Sequence, residues 1–128
     1  MNLLLDTHVA LWAITDSPRL SAKARELIAA PANTVWVSVA SLWEITIKHS
    51  LERGDMPISG SQAKDWFEQS GYQLLNIEAP HVLCVTELPA LHNDPFDRLL
   101  VAQALAEPLR LMTHDAHVAR YSDTIIAI

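Results

Sequence analysis

Four acidic residues stand far apart in the sequence, each near a point where a short apolar run gives way to a helical pattern. They are Asp6, Glu44, Asp97 and Asp115. Two carboxylates about 4 Å apart repel by roughly 4 kcal/mol at an effective dielectric constant near 20, so four in one cleft need a cation or protons between them. Oxygen ligands favour Mg²⁺ or Mn²⁺ over zinc, and Mg²⁺ is usually completed by water and by substrate phosphate. The residues therefore predict metal-dependent hydrolysis of a phosphodiester bond.

The predicted strands and helices alternate along the chain, which is typical of a parallel α/β sandwich. Strands are predicted at 2–5, 34–37, 72–77, 109–113 and 124–128, and helices at 9–14, 22–30, 38–51, 61–69, 79–88, from 95 onward and, as a short turn, at 116–120. Sheets of this kind carry their sites outside the carboxyl ends of the strands. Asp6 ends the first strand, Glu44 lies in the helix after the second, and Asp115 follows the fourth. We therefore expect them to converge at one edge.

The helix that carries Asp97 has the clearest start signal. Asp94 is placed to cap it, Pro95 occupies the first helical position, and Asp97 follows three residues after the cap. The apolar residues that follow cover most of the helical circumference, so we expect other structure to pack around this helix. Asp97 shares a face with three of them, Leu100, Val101 and Ala104. Since the helix leads into the fourth strand, its beginning should also face the carboxyl edge of the sheet.

Each acid also has a purely structural explanation. Asp97 can interact with the helix dipole or close a capping arrangement, and Asp6 can cap the helix that follows it. Asp115 fits a turn after Thr113, and Asp94 is expected to be a cap rather than a ligand.

Glu44 is the most ambiguous of the four acids. It completes a capping-box pattern with Ser41, which stands three residues earlier. It also stands four residues before Lys48, the spacing of a favourable ion pair on a helix. Either arrangement would hold Glu44 for structural reasons alone.

Length and composition indicate one globular domain, residues 1–128, in which half the residues are hydrophobic and 19% are charged. No apolar run approaches the roughly 18 residues of a membrane span and no leader pattern is present, so we expect a cytoplasmic protein. The single Cys84 stands in a helical stretch and is expected to pack rather than react. The net charge of −6 argues against a passive DNA-binding module but not against an enzyme whose acids hold a metal ion.

Four segments, in this order, resemble the motifs of the PIN-domain family, and within it the VapC-type toxins of bacterial toxin–antitoxin pairs. They are Leu4-Leu5-Asp6-Thr7-His8, Ser38-Val39-Ala40-Ser41-Leu42-Trp43-Glu44-Ile45, Asp94-Pro95-Phe96-Asp97-Arg98-Leu99-Leu100 and Thr113-His114-Asp115. Each motif alone is a weak signal of the family. The four together keep the family's order and spacing over nearly the whole chain, which makes the resemblance strong.

The resemblance implies a three-layer sandwich with a central parallel sheet of about five strands flanked by helices. It also implies an endoribonuclease dependent on Mg²⁺ or Mn²⁺, with Asp6 and Asp97 as the main metal ligands. Glu44 would position water or a second ion, and Asp115 with the Thr113 hydroxyl would complete the site. A cognate antitoxin that covers the cleft and a homodimer are further implications.

Three groups of side chains have two interpretations each. The histidines near the predicted edge could contact RNA phosphate, but solvated or capping roles are preferred: His8, His92, His114 and His117. The basic residues could line an RNA groove, with ion pairs to neighbouring acids as the default: Lys48, Arg53, Arg98 and Arg120. The tryptophans could stack on bases or form a partner surface, with core packing preferred: Trp12, Trp36, Trp43 and Trp66.

Two other functions compete with that of a nuclease. A phosphoacceptor receiver domain would have a similar size and an acidic metal pocket, but it should carry a lysine near the last strand, and residues 120–128 contain none. In the other alternative the acids serve only as caps and the protein is a scaffold.

Overall fold

The computed structural model describes residues 1–128 and contains one five-stranded sheet in which every neighbouring pair of strands is parallel. The strands are β1 (Asn2–Leu5), β2 (Thr34–Ser38), β3 (Gln73–Leu75), β4 (Arg110–Thr113) and β5 (Ile126–Ala127). Their order is β3-β2-β1-β4-β5, so the direction of winding reverses between β1 and β4. A sheet of this kind opens a crevice beyond the carboxyl ends of the two strands at the reversal. The order also differs from the 2-1-3-4-5 order typical of receiver domains, which argues against that alternative.

Seven α-helices surround the sheet. They are α1 (Thr7–Ile14), α2 (Ala22–Ala29), α3 (Val39–Ser50), α4 (Gly60–Gln69), α5 (Ala79–Cys84), α6 (Pro95–Ala106) and α7 (Ala116–Ala119), with a 3₁₀ turn at Val85–Glu87 after α5. None of these helices is long and apolar enough to span a membrane.

The central strand β1 shows why the helices form two layers. Leu3, Leu4 and Leu5 are all fully buried, and successive side chains of a strand point to opposite faces of the sheet. Leu3 and Leu5 pack in a core with residues of α1, α2 and α4, whereas Leu4 packs in a second core with α6 and α7. The predicted three-layer sandwich is therefore confirmed.

A buried polar contact ties α6 to the beginning of α3. Gln103 is fully buried in α6, and its Oε1 accepts a hydrogen bond of 2.5 Å from the Ser38 hydroxyl. Its Nε2 lies 3.3 Å from the Asn76 carbonyl and from His81 Nδ1. Since Ser38 is also the N-cap of α3, this contact fixes how the two helices are placed against each other.

Three predicted elements are shorter or less regular in the structure. The strands predicted at 72–77 and 124–128 shrink to β3 and β5, because both are edge strands and pair only with the few neighbouring residues in register. The helix predicted at 79–88 becomes α5 followed by the 3₁₀ turn, which ends just before Pro89.

The preference for core packing of the tryptophans is half right. Trp12 and Trp36 are partly buried against the two cores. Trp43 and Trp66 are exposed, by 56% and 37%, so the prediction is wrong for them. Trp43 projects from α3 and makes an edge-to-face contact with Phe96 of α6, with ring centroids 5.1 Å apart.

Candidate metal centre

Asp6 directly follows β1 and uses both of its carboxylate oxygens. Oδ1 caps α1 by accepting the backbone N–H of Val9 at 3.0 Å, and Oδ2 accepts the Thr113 hydroxyl at 2.5 Å. Burial raises the pKa of the Asp6 carboxyl above its ordinary value of 3.8, although these two hydrogen bonds act in the opposite direction. Asp6 therefore caps α1, as the structural explanation of this residue predicted. It is also a buried carboxylate at the point where the strand order reverses between β1 and β4.

Thr113 joins the ends of β1 and β4. Its fully buried hydroxyl donates to Asp6 and accepts the backbone N–H of Asp115 at 3.0 Å. Asp115 in turn caps α7 through Oδ1, which accepts the N–H groups of His117 and Val118 at 2.8 and 3.4 Å. One carboxylate oxygen of Asp115, Oδ2, is left to face the cleft side, where it lies 3.6 Å from His92 Nε2.

Glu44 is buried in α3, with 3% of its surface exposed, and both of its oxygens have partners. The Thr7 hydroxyl donates to Oε1 at 2.7 Å, and Lys48 Nζ contacts Oε2 at 2.5 Å. The predicted pair of Glu44 with Lys48 is therefore present. Partial burial lowers the pKa of Lys48, but the bond to Glu44 and the charges of neighbouring acids outweigh that effect, so the net shift is upward.

The capping box predicted for Ser41 and Glu44 is wrong. Helix α3 begins at Val39, in agreement with the helix predicted at 38–51, because the Ser38 hydroxyl caps it by accepting the N–H of Ala40 at 3.0 Å. Ser41 therefore lies inside the helix, with its Oγ 2.9 Å from the hydroxyl oxygen of Thr7. Sequence reasoning assigned no role to Thr7, which links Ser41 and Glu44.

Asp97 lies in the first turn of α6, as predicted. Asp94 caps this helix, since its Oδ1 accepts the N–H groups of Phe96 and Asp97 at 2.8 and 3.1 Å. Oδ2 of Asp97 contacts His92 Nε2 at 2.8 Å. Burial, followed by the nearby charges of other acids, raises the pKa of Asp97 to about 6, against the effect of the His92 hydrogen bond.

All four predicted acids line a single cleft of about 410 Å³ at the carboxyl edge of the sheet. The other lining residues are His8, Trp12, Arg19, Lys48, His92, Asp94 and His114. The structure thus brings together Asp6, Glu44, Asp97 and Asp115, and their part in catalysis stays a prediction. Arg19 was missed, because nothing in the loop after α1 marks an arginine that turns toward the cleft.

Among the other predicted groups, His92 and Arg98 differ most from expectation. His92 is neither solvated nor a cap, since it binds Asp97. Arg98 forms no ion pair and does not line the cleft; it donates to the carbonyl oxygens of Val85 and Pro89 and to the Tyr121 hydroxyl, at 2.9, 3.1 and 3.0 Å. Its role is to hold the segment before α6.

The donor set of the cleft fits a divalent cation. Five acids face only two permanently basic side chains, Arg19 and Lys48, so the cleft carries excess negative charge. The raised pKa values of Asp6 and Asp97 have burial as their main cause, and repulsion from Glu44 adds to both. An ion of charge +2 would relieve this repulsion, with Asp6 and Asp97 as its principal ligands and Glu44 and Asp115 beside them.

The variant Thr113→Val should show how much Asp6 depends on its hydroxyl donor. We expect a loss of about 1 to 3 kcal/mol in the free energy of unfolding, because the buried Asp6 and the N–H of Asp115 both lose a partner. Thr113→Ser, which keeps the hydroxyl, should recover most of it. Urea unfolding of both variants measures the difference, and equal stability of Thr113→Val and the wild type would contradict this role.

The raised pKa of Asp97 predicts a pH dependence of stability in EDTA. The folded protein binds the Asp97 proton more tightly than the unfolded chain, so this stabilising contribution is complete below about pH 4 and is lost as the pH rises through about 6. Between pH 4.5 and 7.5 the wild type should lose about 1 to 3 kcal/mol relative to Asp97→Asn, which cannot titrate there. Chemical unfolding at several pH values measures this difference, and a constant gap would count against the shift.

The sequence matches the PIN domain family model over residues 3–123. Among curated proteins it is similar to Ribonuclease VapC22 of Mycobacterium tuberculosis, with 30% identity over 117 residues, which cover 89% of this chain and 87% of that protein.

Solved structures support the fold. The VapBC2 complex of Rickettsia felis bound to a promoter DNA fragment contains a chain with a TM-score of 0.71 and 22% identity, and the match covers 100% of this chain and 98% of that one. FitAcB of Neisseria gonorrhoeae contains one with a TM-score of 0.64 and 15% identity, covering 98% and 96%.

Proposed function

The chain belongs to the PIN-domain family, and on that premise we propose that it is a metal-dependent endoribonuclease and the toxin of a type II toxin–antitoxin pair. The reaction is hydrolysis of RNA phosphodiester bonds. Action on cellular RNA would take place in the cytoplasm.

The observation that carries this proposal is the convergence of four carboxylates from residues 6, 44, 97 and 115 on one cleft. Each is preset by contacts that belong to the fold: two of the acids cap helices, two accept the hydroxyl of a buried threonine, and Asp97 contacts His92. Such preorganisation lowers the cost of placing like charges together at the moment a cation and an anionic substrate arrive. The named relative, a ribonuclease, supports RNA as the substrate class.

The acidic residues of the cleft have different proposed roles. Asp6 and Asp97 would hold Mg²⁺ or Mn²⁺, and Asp115 would support it from the end of β4. Glu44, fixed by Thr7 and Lys48, would help to position the attacking water or hold a second ion. When bound, the ion would supply a lowered water pKa and neutralise charge on the phosphate.

The basic side chains of the cleft would bind the phosphate groups of the RNA. Lys48 is kept charged by Glu44 and lies within reach of a phosphate placed over the acids, and Arg19 lines the same cleft. The two can offset part of the negative field that an RNA backbone would meet.

RNA cleavage by the purified protein tests the proposal. We expect cleavage that EDTA abolishes and that added Mg²⁺ or Mn²⁺ restores. Sequencing the 5′ ends of RNA fragments after induction in cells should show defined cleavage sites that are missing when Asp97→Asn is induced. Cleavage that persists in EDTA, or equal fragment patterns for both proteins, would overturn it.

The proposed partners are a cognate antitoxin and a second copy of the chain. Three exposed apolar side chains stand four residues apart, Trp43 and Ile47 on α3 and Leu51 directly after it. This spacing places them on one face, which supports a protein partner there. The similar chain of the Rickettsia felis structure was solved in a VapBC2 complex. Light scattering of the isolated chain tests the homodimer, and a monomer at micromolar concentration would contradict it.

A further inference from the structure

His92 lines the cleft beside Asp97 and Asp115. Its Nε2 lies 2.8 Å from Asp97 Oδ2 and 3.6 Å from Asp115 Oδ2. One potential ligand atom from each of the three residues lies within 4.8 Å of the others. Ligands that neighbour one another on a single ion with bonds of about 2.1 Å are about 3 Å apart, so the two distances from His92 Nε2 suit one shared ion.

A hydrogen bond accounts for only one of the two contacts of His92. Nε2 is hydrogen-bonded to Asp97 at 2.8 Å, whereas Oδ2 of Asp115, at 3.6 Å, is too far for a hydrogen bond and its partners on the fold use only Oδ1. A divalent ion between the three groups would bind all of them and offset the charge of the two carboxylates.

Two of the three residues, Asp115 and His92, are held by contacts that use their other atoms. Oδ1 of Asp115 caps α7, which leaves Oδ2 available. The carbonyl oxygen of His92 is a partner of Arg98 and of the Tyr121 hydroxyl, at 3.4 and 3.5 Å. The His92 ring stacks on His117 with centroids 6.1 Å apart and an interplanar angle of 11°. The imidazole is thus fixed in position, half-buried, with Nε2 directed at the acids.

We propose that His92 is a nitrogen ligand in a mixed site with Asp97 and Asp115, and that this ligand makes the protein select a first-row transition ion over Mg²⁺. Imidazole suits transition ions, whereas Mg²⁺ takes oxygen ligands and gives up its water reluctantly. Because Asp97 has two carboxylate oxygens, it can contribute to two metal positions, the one with His92 and Asp115 and the one beside Asp6. The inference deepens the proposed function, on which it rests, by naming the ion that the same cleft prefers.

Binding of Mn²⁺ and Mg²⁺ to the full chain without RNA tests this ligand. Calorimetry should show that Mn²⁺ binds at least about tenfold more tightly than Mg²⁺. His92→Gln, which offers an oxygen of similar reach, should weaken Mn²⁺ binding by about 10- to 100-fold and Mg²⁺ binding by less than about threefold. His114→Gln, which removes another imidazole of the cleft, is the matched control and should keep the Mn²⁺ affinity. An equal loss for both ions in His92→Gln would show that His92 only orients Asp97, and would overturn the proposal.

Pulsed electron paramagnetic resonance of the Mn²⁺-loaded protein gives a readout that a merely structural histidine would not move. The wild type and His114→Gln should show nitrogen coupling to Mn²⁺, and His92→Gln should lose it. No coupling in the wild type, or unchanged coupling in His92→Gln, would overturn the proposal. Because no RNA is present, this failure is distinct from that of the proposed function, which would appear as absent RNA cleavage by a protein that still shows the coupling.

Discussion

Asp97→Asn is expected to lower RNA cleavage by about 10³-fold, which corresponds to about 4 kcal/mol of lost transition-state stabilisation. The substitution keeps the size of the side chain and the capping of α6 by Asp94, but it removes the charge that a cation needs. Cleavage of a fluorescent RNA under saturating Mn²⁺ measures the loss.

The same variant should be more stable than the wild type in EDTA at pH 7.5, because it removes a half-buried charge that lies near Asp94, Asp6 and Glu44. Loss of activity together with a higher melting temperature separates a functional acid from a structural one. Asp65→Asn, the same change at an exposed position of α4, is the control and should leave both quantities unchanged. Activity of Asp97→Asn within tenfold of the wild type would remove Asp97 from the proposed mechanism.

Arg98→Ala should cost about 2 to 3 kcal/mol of unfolding free energy, the second large effect. The guanidinium group donates to the carbonyl oxygens of Val85 and Pro89, in the segment before α6, and to the hydroxyl of Tyr121, which follows α7. Hydrogen bonds from a charged donor are worth more than neutral ones, and the lost donor leaves partly buried acceptors unpaired.

Arg98→Lys should recover less than half of that loss, because one ammonium group cannot reproduce the planar fork that reaches all three acceptors. Urea unfolding in EDTA measures both variants, and Arg53→Ala in an exposed loop serves as the control. We also expect lower RNA cleavage, since the segment released by the change carries His92. Full recovery by lysine would show that only the charge of Arg98 matters.

The helices and strands could be predicted from the sequence where the residues that define their ends lie close together in it. Asp94 and Pro95 mark the beginning of α6 because a cap and a fixed backbone angle act within one turn. The ends of β3 and β5 could not be predicted in this way, since a neighbouring strand decides which residues pair. The alternation of strands and helices sufficed for a parallel α/β sheet, but the order of the strands requires the structure.

For the candidate site, residue type and place relative to the strands were enough to predict that the four acids converge on one cleft. The contacts that hold them were not visible in the sequence. Thr7 acts on Glu44 across 37 residues and Thr113 on Asp6 across 107, and no local pattern marks either threonine. Arg98 was misjudged because a sequence shows neighbouring acids but not the carbonyl oxygens that a loop turns toward a guanidinium group.

The residues of the cleft are far apart in the sequence, and this determines when the cleft can form during synthesis of the chain. Asp6 is synthesised 107 residues before its partner Thr113, and the acids Asp97 and Asp115 likewise follow it late. The central strand β1 gains its neighbour β4 only at that stage. A nascent chain that has not reached residue 97 therefore lacks two of the four predicted acids and one neighbour of its central strand. If the cleft cleaves RNA, the ribosome that makes the protein is not exposed to a formed site before Asp97 and Asp115 have been added.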